Sequence, residues 1–173
     1  MAFQFVVETG EGDPDANSYC TVEFADDYSE MNIQRSSEWL ALEEEDKQRI
    51  LARASKTLDV RFKWNGTRVD GDSGLKWPRA GVYDEDGFII ADDVIPGILQ
   101  EATAEFALYL MSDDWTAPRD EDQFKELKVD VIDIKFDTTY RRSYIPPTIV
   151  AMLEGLGSSN SGNRPAFKKI VRS

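Results

Sequence analysis

The 173-residue chain contains no histidine. That removes Ser-His and Cys-His nucleophile pairs, His-based zinc sites and most general-base designs that work near neutral pH. Its one cysteine, Cys20, excludes an internal disulfide framework and has no Cys or His partner for zinc. Near a helix start, this lone thiol reads as a small buried apolar residue. No GxxxxGKS/T or GxGxxG run occurs, so no phosphate cradle is indicated. No apolar run approaches the ~20 residues that span a bilayer, so no membrane partner is expected. The stretch Met1-Ala2-Phe3-Gln4-Phe5-Val6-Val7-Glu8 lacks the basic segment that opens a signal peptide. With the lone cysteine, this points to the cytoplasm of the producing cell. The expectation is a protein that is not an enzyme and uses no metal or cofactor.

Positive charge is also scarce. There are 33 acidic and 20 basic residues, for a net charge of −13. Nucleic-acid binders usually show a basic face, and a mean negative field repels DNA. The charge is uneven, however. Residues 157–173 carry Arg164, Lys168, Lys169 and Arg172 and no acid, so this stretch is +4 and the remainder is −17. An acidic body with a basic tail suggests docking on an acidic partner. The alternative is a merely solvated terminus.

A hydrophobic content of 41%, nine Phe and four Trp suit one globular domain with a real core. Phe3, Phe5 and Val7 alternate as in a short strand. Loop chemistry follows from Glu8 to Pro14. A helix is expected from about Thr21 to Met31, with Phe24, Tyr28 and Met31 on one face. A second, from about Glu43 to Asp59, carries Ile50, Ala54 and Leu58 with Leu51 alongside. Its acidic start and its Lys56 and Arg61 suit the helix dipole. A third runs from about Pro96 to Met111, and Ile98, Leu99, Ala102, Phe106, Tyr109 and Leu110 make it the central core helix. Residues 127–136 alternate, but the phase slips at Val131-Ile132. A bulge or a tight turn would produce that slip. Ile145-Pro146-Pro147 opens a short fourth helix bearing Ile149, Val150, Met152, Leu153 and Leu156. Residues 157–163, rich in Gly and Ser, read as a flexible linker. The expected fold is mainly α: a small bundle of about four helices, a short β-hairpin or bent strand, and a long structured loop. The expected domains are a helical body, 1–156, and a flexible docking arm, 157–173.

Paired acids do not assemble into an evident site. Glu43-Glu44-Glu45-Asp46 reads as a solvated helix start. Asp84-Glu85-Asp86-Gly87 resembles part of a calcium loop. With Gly87 at loop position six, position one falls on Val82, where an acid is required. Arg61, Lys63, Arg68, Lys76 and Arg79 cluster in sequence around Trp64 and Trp77. Trp64, Trp77 and Trp115 could stack bases, as in single-strand binders. Core packing and loop pinning are favoured instead, because no basic groove is visible. The same mix suits a subunit interface, where Arg and Trp are enriched.

The stretch from Leu75 to Pro96 is the most informative. Trp77-Pro78 puts a bulky anchor beside a fixed φ, and Asp86-Gly87 is a tight-turn signal. Pro96 then starts a helix. Trp77, Pro78 and Pro96 are therefore the expected anchors of a structured loop. Ala16-Asn17-Ser18-Tyr19, then Arg61-Phe62-Lys63-Trp64-Asn65-Gly66-Thr67-Arg68, then Leu75-Lys76-Trp77-Pro78-Arg79, then Ile95-Pro96 with its Ala/Glu-rich helix, follow in order. This order resembles the tailed-phage head–tail adaptor, or head-completion, proteins of the DnaT-like single-stranded-DNA-binding annotation family. The likeness covers roughly residues 16–110, and the rest only loosely.

The resemblance implies a structural virion protein, assembled in the host cytoplasm. It would form a homo-oligomeric ring, commonly of twelve subunits, between the portal and a tail-side stopper or tail protein. The ring would extend the DNA channel, and genome DNA would pass through its lumen without specific binding. In such adaptors an arm often reaches the portal. Arg164, Phe167, Lys168, Lys169, Ile170 and Arg172 are the expected partner-binding residues here. The rival expectation is a DnaT-like single-stranded-DNA-binding protein of replication.

Overall fold

The computed structural model describes residues 3–84, 86–113, 115 and 144–160, and the backbone of residues 126–129 and 132–135. Five helices dominate the described residues: α1 (Val22–Ser29), α2 (Ser36–Leu40), α3 (Glu44–Arg61), α4 (Gly97–Ser112) and α5 (Pro147–Met152). Six short strands accompany them: β1 (Phe62–Trp64), β2 (Thr67–Arg68), β3 (Arg79–Ala80), β4 (Glu126–Val129), β5 (Ile132–Lys135) and β6 (Gly157–Ser159). They pair antiparallel as β1–β6, β2–β3 and β4–β5. The fold is helix-dominated, as its sequence periodicity predicts.

Helix α4 is the centre. It packs along α3 and is flanked by α1 and α5. Leu99, Ala102, Phe106 and Ala107 are fully buried on it. Leu51, Ala54 and Leu58 of α3 meet them in one core. Ile98 stays partly exposed, so the buried stripe is narrower than the apolar one. Pro96 is the N-cap rather than the first helical residue, and its carbonyl accepts the N–H groups of Leu99 and Gln100. Thr21 caps α1 by accepting the Phe24 N–H on its side chain. The buried face of α1 is Ala25 and Ser29. Met31 lies beyond the helix end and is exposed.

Several elements differ from expectation, each for a local reason. Phe3–Val7 forms no ladder. It makes a single parallel bridge, Val7 to Ser18, and the Asn17 N–H donates to the Val6 carbonyl. Helix α2 has five residues, too few for a period to show. Its Trp39 is fully buried, and the indole N–H donates to Asp26 at 2.8 Å. The register of β4 with β5 pairs Val129 with Ile132. The phase slip is thus a reversal of chain direction, not a bulge. Residues 157–159, expected in a linker, are strand β6, with Trp64 opposite Gly157 and Phe62 opposite Ser159. A Cβ at Gly157 would lie 2.8 Å from the Lys63 carbonyl oxygen, so glycine there permits close pairing rather than looseness. The folded body therefore extends through Asn160, whose N–H donates to the Arg61 carbonyl at 2.6 Å.

Candidate functional site

The end of α3 and the loop after β2 meet in a buried polar hub. Asp59 sits in the last turn of α3 and is buried. Its Oδ1 accepts the Tyr19 hydroxyl at 2.5 Å and the Trp64 indole N–H at 3.1 Å. Its Oδ2 accepts the Lys76 backbone N–H at 2.9 Å. The Lys76 ammonium donates to the Asp59 carbonyl oxygen. The Tyr19 N–H donates to Ser55 Oγ at 3.0 Å, which ties the N-terminal loop to the same helix face. Burial pushes the Asp59 carboxyl up from its ordinary value, and its hydrogen bonds from Tyr19, Lys76 and Trp64 oppose that rise. Burial, followed by the neighbouring Asp59 charge, pushes the Tyr19 phenol well above its ordinary value.

Several aromatic and cationic residues of this region pack or bond inward around the hub. Trp77 is fully buried and Trp64 nearly so, with their rings 6.0 Å apart edge to face. Phe62 stacks on Trp64 at 5.0 Å. Neither indole offers a face to a base. The Arg79 guanidinium donates to the carbonyl oxygens of Asn65, Gly66 and Lys76. That of Arg68 donates to those of Ser73 and Leu75. Arg61 lies over the Tyr144 ring, 3.9 Å from its centroid. Lys63 is the exposed member of the five. Trp115 packs edge to face on Tyr109. The sequence cluster is brought together, but as the lining of a fold, not as a groove.

The hub also holds the long loop in place. Pro78 and Pro96 are buried beside Trp77 and Ile95 in the sequence. Beyond them the chain makes a small hairpin. Tyr83 bridges Ile89, and the Ile90 N–H donates to the Val82 carbonyl. Asp84 shapes the tip, its Oδ1 accepting the N–H groups of Asp86 at 3.0 Å and Phe88 at 2.8 Å. Gly87 has φ +86°, as such a turn requires. That carboxylate is committed to backbone, consistent with the failed calcium register. Tyr83, Phe88 and Ile89 are 56%, 70% and 68% exposed here. Sequence reasoning read the turn but not this apolar knuckle, although Phe88-Ile89 next to Asp86-Gly87 was the available signal.

Other polar clusters are structural. Lys47 is buried and pairs with Asp26 at 2.9 Å, joining α3 to α1. Burial pushes the Cys20 thiol up to about 12. Among the described residues, no three His, Cys, Asp or Glu side chains gather to hold a metal, and no helix is long and apolar enough to cross a membrane. Arg164, Phe167, Lys168, Lys169, Ile170 and Arg172 lie outside the described residues.

No curated protein and no solved structure matches the chain. A family model described as "Putative DnaT-like ssDNA binding protein" matches residues 3–173. The motif order Tyr19, Trp64, Trp77-Pro78 and Pro96 thus lies within a match that spans nearly the whole sequence, and the chain belongs to this DnaT-like family.

Proposed function

We propose that this protein is a structural component of a tailed-phage particle, a head–tail adaptor. In this reading it forms a homo-oligomeric ring between the portal and a tail-side stopper or tail protein, and extends the DNA channel. It performs no chemistry. Residues 164–172 supply contacts to a partner. The observation that carries the reading is the commitment of Trp64, Trp77, Arg68 and Arg79 to the buried hub. These are the groups that a single-strand platform would need on its surface. An acidic body also suits a channel wall, because it lets phosphates slide past without sticking. Repetition around a ring turns weak single contacts into durable attachment. Negative-stain imaging of the purified protein, alone and mixed with portal rings, tests this. Rings seated on the portal are expected. Dispersed single subunits that leave the portal bare would overturn it.

The second reading is single-stranded-DNA binding in replication, and the family description favours it. Lys63, Arg61 and the basic residues 164–172 would then carry the contacts. Binding assays with single-stranded DNA separate the two readings.

A further inference from the structure

The hairpin at residues 82–90 is an exposed apolar surface on an acidic stretch. Tyr83 and Ile89 face each other across the bridge, so their side chains share a side of the hairpin. Both are mostly exposed, as is Phe88. Asp84 Oδ1 accepts the N–H groups of Asp86 and Phe88, so the exposed apolar groups flank a hydrogen-bonded turn. Residues 80–100 carry Asp84, Glu85, Asp86, Asp92 and Asp93 and no Lys or Arg. Exposed apolar groups inside a one-sign field usually mark a place that something covers.

The sequence contains a complement. Residues 161–173 hold Arg164, Lys168, Lys169 and Arg172 with Phe167, Ile170 and Val171, and no acid. We propose that residues 164–172 seat on the Tyr83–Ile89 hairpin of their own chain. The charges are opposite in sign, and each partner brings apolar groups to the contact.

Reach favours the same chain. Asn160 is fixed to Arg61 at the start of β1. The three residues of β1 extend about 10 Å at the usual strand rise. Just beyond them, a Cβ on Gly66 would lie 2.7 Å from the Val82 side chain, so the hairpin base abuts the end of this strand. Seven extended residues from Asn160 to Phe167 cover up to about 25 Å. A tether that short gives an effective concentration on the order of millimolar, so even a weak contact closes. A partner that takes the arm must then compete with the hairpin, and the arm is released where that partner is present.

Cross-linking in the full chain tests the seat. Ile89→Cys combined with Ile170→Cys should form an intrachain disulfide on mild oxidation, read as a faster-migrating monomer on a non-reducing gel. Buried Cys20 does not compete. Ile33→Cys with Ile170→Cys is the control, since Ile33 is 88% exposed on the α1–α2 corner. Adding Lys168→Glu and Lys169→Glu should abolish the disulfide, as should 1 M salt, where the screening length falls to about 3 Å. Hydrogen exchange supplies a thiol-free readout. The Lys168→Glu, Lys169→Glu chain should exchange faster at residues 86–90 and unchanged in α4. Equal cross-linking at positions 33 and 89, cross-linking only between chains, or unaltered exchange at 86–90 would each overturn the proposal.

Discussion

At the residue scale, Asp59 decides more than any other side chain. It is the shared acceptor for Tyr19, Trp64 and Lys76, so α3, β1 and the loop after β2 converge on one carboxylate. Asn in its place keeps the shape but aims an N–H₂ at a donor. One buried donor is left unpaired, at a cost of roughly 1–3 kcal/mol. The pH dependence has a definite sign. Because burial raises the folded-state pKa, the contribution of Asp59 is largest below its unfolded value of about 4. It falls as pH rises through the folded value. Urea denaturation of wild type and Asp59→Asn should show the wild-type advantage shrinking from pH 4 to pH 7, and a gap that widens would refute the assignment. Trp77→Ala removes the fully buried partner of Trp64 and should cost about 3–5 kcal/mol in the same assay. A variant melting within a degree of wild type would mean that Trp77 is not a buried pin. Cys20, 1% exposed with its thiol pushed up to about 12, should resist thiol reagents at pH 8 in the native protein and react at once in denaturant.

At the element scale, the loops are as specified as the helices. Gly74 and Gly71 lie three residues apart in one loop and make a matched pair. A Cβ at Gly74 would sit 2.4 and 2.6 Å from the carbonyl oxygens of Ala16 and Pro14, whereas one at Gly71 would meet nothing within 4 Å. Gly74→Ala should therefore destabilise by about 1–3 kcal/mol. Gly71→Ala should be neutral or slightly stabilising, through lower unfolded-state entropy. Equal melting temperatures for the two variants would show that the loop does not dock on residues 14–16. The helices α3 and α4 were legible because eighteen and sixteen residues display several periods of burial. The pinned loop was legible from Trp77, Pro78 and Pro96. What escaped were the pairings. Strands of two or three residues have no period, and β6 meets β1 across more than ninety residues of chain. Its Gly-Ser-Ser composition imitates a linker because the contact uses backbone, not side chains. The aromatic and basic cluster was visible, but its inward direction was not. That direction depends on Asp59, whose role emerges only when α3 and the loop meet.

At the scale of the whole molecule, charge sets what the protein can hold. Binding to single-stranded DNA without sequence preference draws on several cations along one track and on exposed aromatic faces. Here the net charge is −13, the indoles of Trp64 and Trp77 are buried, and the guanidinium groups of Arg68 and Arg79 are committed to backbone carbonyls. Cations concentrate instead in residues 164–172, which are too few to outweigh an acidic body. Fluorescence anisotropy with a labelled single strand at physiological salt should therefore give a dissociation constant weaker than about 1 µM, the tight end of ordinary non-specific binding. Any residual signal should fall with Lys168→Glu and Lys169→Glu, which reverse two of the four cations in that stretch. A salt-sensitive complex tighter than that, and indifferent to those two substitutions, would place a cationic track elsewhere on the chain. It would also favour the replication reading over the proposed connector role.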